Sequence, residues 1–284
     1  MQRLRPCNTT SRKSGIHFIM MVVALIVFEY FVFMFCIMPQ WFRTAWGITL
    51  LLVFHGFFLL MLLAFCQSVM TDPGVVPPNW GFYMGDETKR RRYCKMCNVW
   101  KPDRTHHCSI CNRCVLNMDH HCPWINNCVG FYNRKFFMQL LFYVYICLLV
   151  TTSTGIAWIV LRVLFLIKMQ QPIRFIEIWD VCVLVSAMLS IVLLFALTNF
   201  IKFHVRLVLE NYTTIENLER DASQRSKYDI GSRRNWEQVF GSHILGWMLP
   251  FHTTISRPSG DGVRWRVHYT RVVDEDEEQH GAGG

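Results

Sequence analysis

Apolar residues gather into four long runs, and polar segments separate the runs. They cover Ile16 to Met38, Ala45 to Val69, Phe136 into the 160s, and Ile178 to Phe203. Each run exceeds the roughly 20 residues that an α-helix needs to cross about 30 Å of hydrocarbon. The pattern predicts an all-α membrane protein with four transmembrane helices and a polar domain between the second and third helices.

The runs divide the chain into five parts. We expect an N-terminal segment at 1–15, helices one and two at 16–69, the polar domain at 70–135, helices three and four at 136–204, and a C-terminal region at 205–284. The first run is too long for the apolar part of a cleaved signal peptide, so we expect it to persist as a helix. The final letters, DEDEEQHGAGG, have the composition of a disordered tail.

The distribution of basic residues predicts how the helices are oriented. The chain has a net charge of +9, and most lysines and arginines lie outside the apolar runs. The connection between the first two runs carries only Arg43, and the connection between the last two carries only Lys168 and Arg174. Because positive loops stay in the cytosol, we expect both termini and the polar domain to be cytosolic. Such a charge beside long apolar runs favours an anionic membrane surface over nucleic acid.

Seven of the twelve cysteines lie between Cys94 and Cys128, where four histidines alternate with them. Paired Cys-x2-Cys motifs with histidines are typical of structural zinc sites, and they favour metal over disulfides in a reducing compartment. Six cysteines and two histidines fill two sites of four ligands. The simplest pairing gives one Zn²⁺ ion Cys94, Cys97, His107 and Cys114, and the other Cys108, Cys111, His121 and Cys128.

One thiol of this cluster is left over, and Cys122 is the best candidate. It follows Asp119, His120 and His121 directly. If His121 faces a metal ion, His120 can face the thiol and act as its base, while Asp119 holds the imidazole in the right tautomer. This surplus predicts a nucleophile for acyl transfer through a thioester. The alternative is a non-enzymatic, zinc-bearing membrane adaptor, which has no need of the extra thiol.

The position of Cys122 constrains its electrophile. The third run begins only about 14 residues later, so the thiol lies close to the membrane surface. A partner that reaches it from the bilayer carries a long apolar chain, and one that reaches it from the cytosol is large and polar. Long-chain acyl-CoA is both. The basic run Lys89 to Arg92 and the pair Arg134–Lys135 could meet its phosphates or lipid head groups.

Two ionisable residues fall inside the apolar runs. Glu29 lies midway along the first run and His55 lies in the second. Ionisable groups at such positions are functional candidates, and they are otherwise paired to a neighbouring helix. The sequence leaves both alternatives open.

The chain resembles the DHHC-type protein S-acyltransferases over nearly its whole length. Four signatures carry the resemblance, in the order in which the family has them. They are Asp72-Pro73-Gly74 after the second run, Asp119-His120-His121-Cys122 within the cysteine cluster, Thr213-Thr214-Ile215-Glu216 after the fourth run, and Asn235 within NWEQVFG. One such motif would be weak evidence, whereas four motifs in this order around four apolar runs are highly specific.

The resemblance implies a two-step activity at Cys122. A long-chain acyl group, mainly palmitoyl, passes from acyl-CoA to this thiol and then to cysteines of membrane-associated proteins. It implies that His120 is the base, that Asp119 orients it, and that Thr214 contacts Asp119. Glu216 and Asn235 are implied to be supporting residues, and the eight residues paired above are implied to be zinc ligands. The resemblance also implies a location in the membrane of the Golgi or the endoplasmic reticulum.

Overall fold

Four long helices form the frame of the protein. The computed structural model describes residues 9–81, 92–170, 176–220 and 225–267. The basic residues at 3 and 5, the basic run at 89–91, Arg174 and the acidic tail lie outside the described residues. The long helices are α1 (Thr9–Phe31), α2 (Ala45–Met70), α3 (Arg134–Lys168) and α4 (Ile178–Leu209).

The four predicted spans are confirmed. The helical segments long and apolar enough to cross a membrane are Gly15–Gln40, Ala45–Met70, Arg134–Lys168 and Ile178–Leu209, and they fit a multi-pass membrane protein. The first differs from the expected uniform helix, because α1 continues as a π-helix at Val32–Ile37 and a 3₁₀ turn at Met38–Gln40. The third has 35 residues, a length of about 52 Å, so it is longer than the hydrocarbon layer.

Capping side chains mark where two of these helices begin. The Thr44 hydroxyl accepts a hydrogen bond from the Gly47 amide at 3.0 Å, which satisfies one amide of the first turn of α2. At the start of α4, Glu177 and Asp180 form a reciprocal capping box. Both caps lie at the ends of apolar runs, so they fix the helix boundaries that the hydropathy pattern leaves open.

The two ionisable groups inside the spans are paired with neighbouring helices. Glu29 accepts hydrogen bonds from the hydroxyls of Ser186 at 2.7 Å and Ser190 at 3.1 Å, which ties α1 to α4. The Tyr30 hydroxyl lies 3.1 Å from Nε2 of His55, which ties α1 to α2. The structure therefore gives both residues a role in helix association, the second of the two alternatives.

The polar domain between α2 and α3 consists of three short antiparallel hairpins. They pair β1 (Tyr93–Cys94) with β2 (Val99–Trp100), β3 (His106–Cys108) with β4 (Arg113–Val115), and β5 (His120–Cys122) with β6 (Asn127–Val129). Each hairpin turn contains an asparagine with positive φ: Asn98 at 56°, Asn112 at 50° and Asn126 at 46°. Asparagine tolerates this left-handed conformation better than most residues, so the turn chemistry is consistent in all three.

The segment after α2 joins the hairpins to the membrane helices. Arg113 of β4 donates to Asp72 at 2.8 Å, and the Leu116 amide donates to the Gly74 carbonyl at 3.2 Å. Asn127 of β6 donates to carbonyls at the C-terminal end of α2, including those of Ser68 at 3.1 Å and Thr71 at 3.0 Å. These carbonyls lack partners within the helix, so the third hairpin caps the second span.

Gly130 provides a test of this close packing. A Cβ atom at this position would lie 2.8 Å from the Pro73 carbonyl oxygen and 2.9 Å from that of Leu116. Because both are backbone atoms, we expect Gly130→Ala to destabilise the protein by about 1–3 kcal/mol. The measurement is thermal unfolding of the detergent-solubilised protein, followed by tryptophan fluorescence.

Gly56→Ala is the matched control. No described atom lies within 4 Å of a Cβ built on Gly56 in α2, and alanine favours a helix over glycine. We expect its unfolding midpoint to equal or exceed that of the wild type. Equal midpoints for the Gly130 and Gly56 variants would contradict the packing described for the 72–74 segment.

Candidate functional site

The first group of possible metal ligands joins the first two hairpins. Cys94 and Cys97 lie at the first hairpin, while His107 and Cys114 are cross-strand partners in the second. The Nδ1 atom of His107 is 3.6 Å from the Cys94 sulfur and 3.2 Å from the Cys97 sulfur. The four donor atoms lie within 4.8 Å of one another, so this group could hold a metal ion.

The second group joins the second and third hairpins in the same way. Cys108 and Cys111 lie at the second hairpin, while His121 and Cys128 are cross-strand partners in the third. The Nδ1 atom of His121 is 3.7, 3.5 and 3.7 Å from the sulfurs of Cys108, Cys111 and Cys128. The structure thus brings together the two sets that the spacing predicts, and the sets interleave along the chain.

Cys122 belongs to neither metal group. It is the last residue of β5, it is buried, and it forms part of an apolar cluster with Ile125 and Phe137. None of the cysteines in the described part of the chain forms a disulfide. The thiol therefore lies where the hairpin domain meets the first turns of α3.

Strand geometry separates the two histidines that precede this thiol. Successive side chains of a strand point to opposite faces, so His121 turns toward its metal group while His120 and Cys122 share the other face. The Nδ1 atom of His120 lies 2.7 Å from Oδ2 of Asp119. Burial by itself would lower the pKa of His120, but its interactions with Asp119 and Cys122 raise that pKa to about 9.

Asp119 is completely buried and accepts hydrogen bonds from the C-terminal region. Thr214 donates its amide to Oδ1 at 3.0 Å and its hydroxyl to Oδ2 at 2.8 Å, which is the contact that the resemblance implies. The Arg134 guanidinium lies 3.3 Å from Oδ1. Burial alone would raise the pKa of Asp119, but Arg134 and His120 hold it far below its usual range, so the carboxylate is ionised.

A short helix fixes the position of Thr214. Helix α5 (Thr214–Glu219) begins with a capping box, in which the Thr213 hydroxyl accepts from the Glu216 amide and Glu216 accepts from the Thr213 amide. Arg104 holds the Glu216 carboxylate through two hydrogen bonds of 2.8 and 2.7 Å. Burial would raise the pKa of Glu216, but Arg104 lowers it below its usual value.

Arg104 is itself held from several sides. Its guanidinium stacks on the rings of Tyr228 and Trp265, with 4.5 Å to each centroid, and it donates to the side chain of Asn211 at 2.8 Å. Such a cation between two aromatic faces is stabilised by both rings. The C-terminal region is therefore clamped to the hairpin domain through one buried arginine.

Asn235 connects the fourth span to the C-terminal region. It lies in helix α6 (Ser232–Phe240) and donates to the carbonyl of Leu209, at the end of α4, at 2.7 Å. It also donates to Asp229 at 2.6 Å and accepts from Asn211 at 3.3 Å. Because Asn211 also bonds Arg104, a series of hydrogen bonds connects Asn235 to the site.

Three residues of this site were not predicted to belong to it: Arg104, His204, and Arg134, for which the sequence predicted contacts with phosphates or lipid head groups. His204, in α4, is buried with its Nδ1 3.9 Å from Oδ2 of Asp119. Its donor atom, with those of Asp119 and His120, forms a third cluster within 4.8 Å. Asp119 is already bonded by Thr214 and faces the Arg134 cation, so this cluster is poorly suited to a metal ion. An ionisable residue near the end of an apolar run was the signal that could have identified His204.

The pair Arg134–Lys135 is not available for phosphates, so that prediction is wrong. Both side chains are buried. Arg134 donates to the Tyr212 carbonyl at 2.8 Å, and Lys135 donates to the Phe251 carbonyl at 3.1 Å. Arg92, the described end of the predicted basic run, donates to the carbonyl of Pro102 at 3.1 Å. The physical reason is that Arg134 and Lys135 satisfy carbonyls of the fold instead of facing solvent.

An acid, an imidazole and a thiol lie in series at Cys122. The buried carboxylate of Asp119 holds the imidazole of His120, and this imidazole shares a strand face with the buried cysteine. An imidazole in such a position is chemically able to accept the proton of a thiol. The site can therefore form a covalent bond from Cys122 to an electrophilic carbonyl.

Comparison with known proteins gives consistent matches. The family model described as DHHC palmitoyltransferase matches residues 87–221. The chain is 33% identical to the probable protein S-acyltransferase 16 of Arabidopsis thaliana, over 95% of this chain and 100% of that protein. It is 32% identical to the probable protein S-acyltransferase 14 of the same plant, over 73% of each. It is 30% identical to palmitoyltransferase ZDHHC20 of Bos taurus, over 82% of this chain and 69% of that protein.

Replacing one ligand should remove the ion from one metal group and leave the other group intact. Cys111→Ala removes a sulfur from the second group and leaves the four donors of the first in place. We expect the metal content to fall from two ions to about one per chain, with a lower unfolding midpoint, because metal binding supplies folding free energy. The measurement is elemental analysis of purified protein by mass spectrometry.

Cys66→Ala is the matched control, since Cys66 is exposed in α2 and belongs to neither group. It should retain two ions. A Cys111 variant that still carries two tightly bound ions would refute the assignment of this cysteine to a metal group.

Proposed function

This chain belongs to the DHHC palmitoyltransferase family and is a protein S-acyltransferase, and from that premise we propose that its acyl-enzyme forms at Cys122. The acyl donor is long-chain acyl-CoA, mainly palmitoyl-CoA, and the acceptors are cysteine thiols of membrane-associated proteins. The observation that carries the proposal is the series Asp119–His120–Cys122 at the junction with α3, in which the buried carboxylate bonds the imidazole and the imidazole shares a strand face with the thiol.

The first step transfers the acyl group to the enzyme. His120, whose pKa is raised to about 9, holds the proton taken from the Cys122 thiol, and the sulfur attacks the thioester carbonyl of acyl-CoA as a thiolate. A new C–S bond forms to Cys122 while the bond to the CoA sulfur breaks. The CoA thiolate leaves and takes the proton back from His120, so no net charge remains at the site.

The second step repeats this chemistry in the opposite direction. His120 takes the proton of an acceptor cysteine, whose sulfur attacks the Cys122 thioester. The acyl group moves to the acceptor, and the Cys122 sulfur leaves as a thiolate that recovers the proton. Because the bond that breaks and the bond that forms are both thioester bonds, the transfer is close to thermoneutral and needs no further energy source.

Asp119 and Thr214 act on the base and not on the substrate. With the Nδ1 proton of His120 held by Asp119, Nε2 is the ring nitrogen left to serve the thiol. Thr214 fixes the carboxylate from a second direction. Glu216, through Arg104, and Asn235 support that contact from the C-terminal region.

We propose that both Cys/His groups hold structural Zn²⁺. In a tetrahedral site with Zn–S of about 2.3 Å and Zn–N of about 2.0 Å, neighbouring donors lie about 3.3–3.8 Å apart. The separations from Nδ1 of His121 are 3.5 to 3.7 Å, and those from His107 are 3.2 and 3.6 Å. Three sulfurs and one imidazole also suit zinc in chemical type. A bound ion would supply a cross-link between hairpins and positive charge beside the site.

The membrane arrangement follows the distribution of basic residues. We propose that both termini and the hairpin domain face the cytosol, where thiols stay reduced. The acyl chain then enters from the bilayer among the four helices, while the CoA moiety stays in water. An endomembrane location, in the Golgi or the endoplasmic reticulum, is part of the same proposal. A zinc-bearing adaptor would not need a buried acid–imidazole–thiol series.

Labelling with an alkyne analogue of palmitoyl-CoA tests the acyl-enzyme. We expect wild-type protein to take up label that neutral hydroxylamine removes and to release one CoA per label. Cys122→Ser should lose the hydroxylamine-sensitive label entirely, because an oxygen ester is far more stable to hydroxylamine. The readouts are in-gel fluorescence and CoA release in detergent.

Cys66→Ala serves as the control and should label like the wild type, since this exposed cysteine lies outside the site. Metal content is measured in parallel, so that loss of label by unfolding is recognised. Hydroxylamine-sensitive label of wild-type intensity on a metal-loaded Cys122 variant would overturn the proposal.

A further inference from the structure

A segment after α6 exposes an unusual number of apolar side chains. Within residues 244–255, here called the 244–255 segment, six apolar residues are 40 to 71% exposed: Ile244, Leu245, Met248, Leu249, Phe251 and Ile255. Contiguous apolar surface of this kind is uncommon on water-facing regions of proteins and marks an interaction site.

The backbone of this segment is fixed to the third span. Three α3 side chains, spaced four residues apart and so on one helix face, donate to its carbonyl groups: Lys135 to Phe251 at 3.1 Å, Gln139 to Trp247 at 2.7 Å, and Tyr143 to Met248. These positions cover about 12 Å of the helix axis. The segment therefore lies along the first turns of α3, and its exposed side chains are not the result of a loosely held loop.

The same turns of α3 pack against the reaction centre on one side and expose an apolar side chain on another. The Phe137 ring is 5.2 Å from that of His120, so the segment lies at the height of the site along the helix. Phe142 is exposed on the candidate span, and its ring is 5.8 Å from that of Tyr143, which holds the segment. The segment is thus held along the same turns of the span that expose the apolar side chain of Phe142.

We propose that the 244–255 segment is seated in the interfacial layer of the bilayer, beside the reaction centre. Its carbonyls at residues 247, 248 and 251 accept hydrogen bonds from α3, so the segment enters an apolar environment with much of its backbone satisfied. Arg257, two residues beyond the segment, is exposed and suits anionic head groups.

Lipid is favoured over a protein partner because the segment is fixed by three hydrogen bonds to a helix that is itself a candidate membrane span. Insertion would fix the height of His120 and Cys122 relative to the bilayer surface. This inference depends on the four spans and on the contacts of α3, and it stands independently of the acyl-transfer chemistry proposed above.

Photo-crosslinking from defined positions tests the inference in the full chain. The photoreactive residue p-benzoylphenylalanine replaces Leu245 or Met248 in protein reconstituted into nanodiscs of phosphatidylcholine and phosphatidylserine. Both side chains are exposed, so the bulky probe fits without repacking. We expect lipid adducts, detected by intact-protein mass spectrometry, from both positions.

Two matched positions calibrate the result. Phe142, exposed on the third span, is the positive control, and Ser259, exposed beyond the segment, is the aqueous control. Adduct yields at 245 and 248 near that of position 142, and at least about fivefold above that of 259, support the inference. Yields at 245 and 248 no greater than at 259, or protein cross-links in cell membranes without lipid adducts, overturn it.

Discussion

The site depends on the compensation of one buried charge, the ionised carboxylate of Asp119, which is fully buried. Burying a charge without partners costs many kcal/mol, so its surroundings must compensate closely. The partners come from separate parts of the chain: His120 follows it in β5, Arg134 begins the third span, and Thr214 follows the fourth. One side chain therefore joins the hairpin domain, the membrane helices and the C-terminal region next to Cys122.

The hairpin domain supplies the second constraint. Its strands are only two or three residues long, and isolated hairpins of this size are not stable in water. Two interleaved ligand sets join the hairpins in series, so that ions bound there would replace the apolar core that this region lacks. The third hairpin then presents His121 to one ion and His120 and Cys122 to the membrane side.

Sequence reasoning could predict the features with a strong local signal. The apolar runs predicted the spans, Cys-x2-Cys spacing predicted the grouping of ligands, and alternation along β5 explains why His120 and His121 face apart. The hairpins themselves could not be predicted, because strands of two or three residues rich in cysteine and histidine show no apolar alternation. The π-helix after α1 likewise lacks a local sequence pattern that would distinguish it from an α-helix.

Long-range contacts were the other part that sequence could not provide. Arg134 and Lys135 look like surface charges at the start of a span, yet the fold buries both against carbonyls more than 75 residues away. Arg104 and His204 are single polar residues whose partners lie in other elements. The exposed apolar face at 244–255 also depends on packing, since the sequence of this segment is equally compatible with a buried turn.

The central claim is that the buried carboxylate makes Cys122 nucleophilic through His120. Its most direct test is the pre-steady-state rate of acylation of Asp119→Asn by palmitoyl-CoA, with metal content measured on the same sample. Asp261→Asn, at an exposed position outside the site, is the control. The account predicts an acylation rate roughly 100-fold or more below that of the wild type, with both metal ions retained and the control unaffected. A metal-loaded Asp119→Asn enzyme that acylates at the wild-type rate would contradict the account.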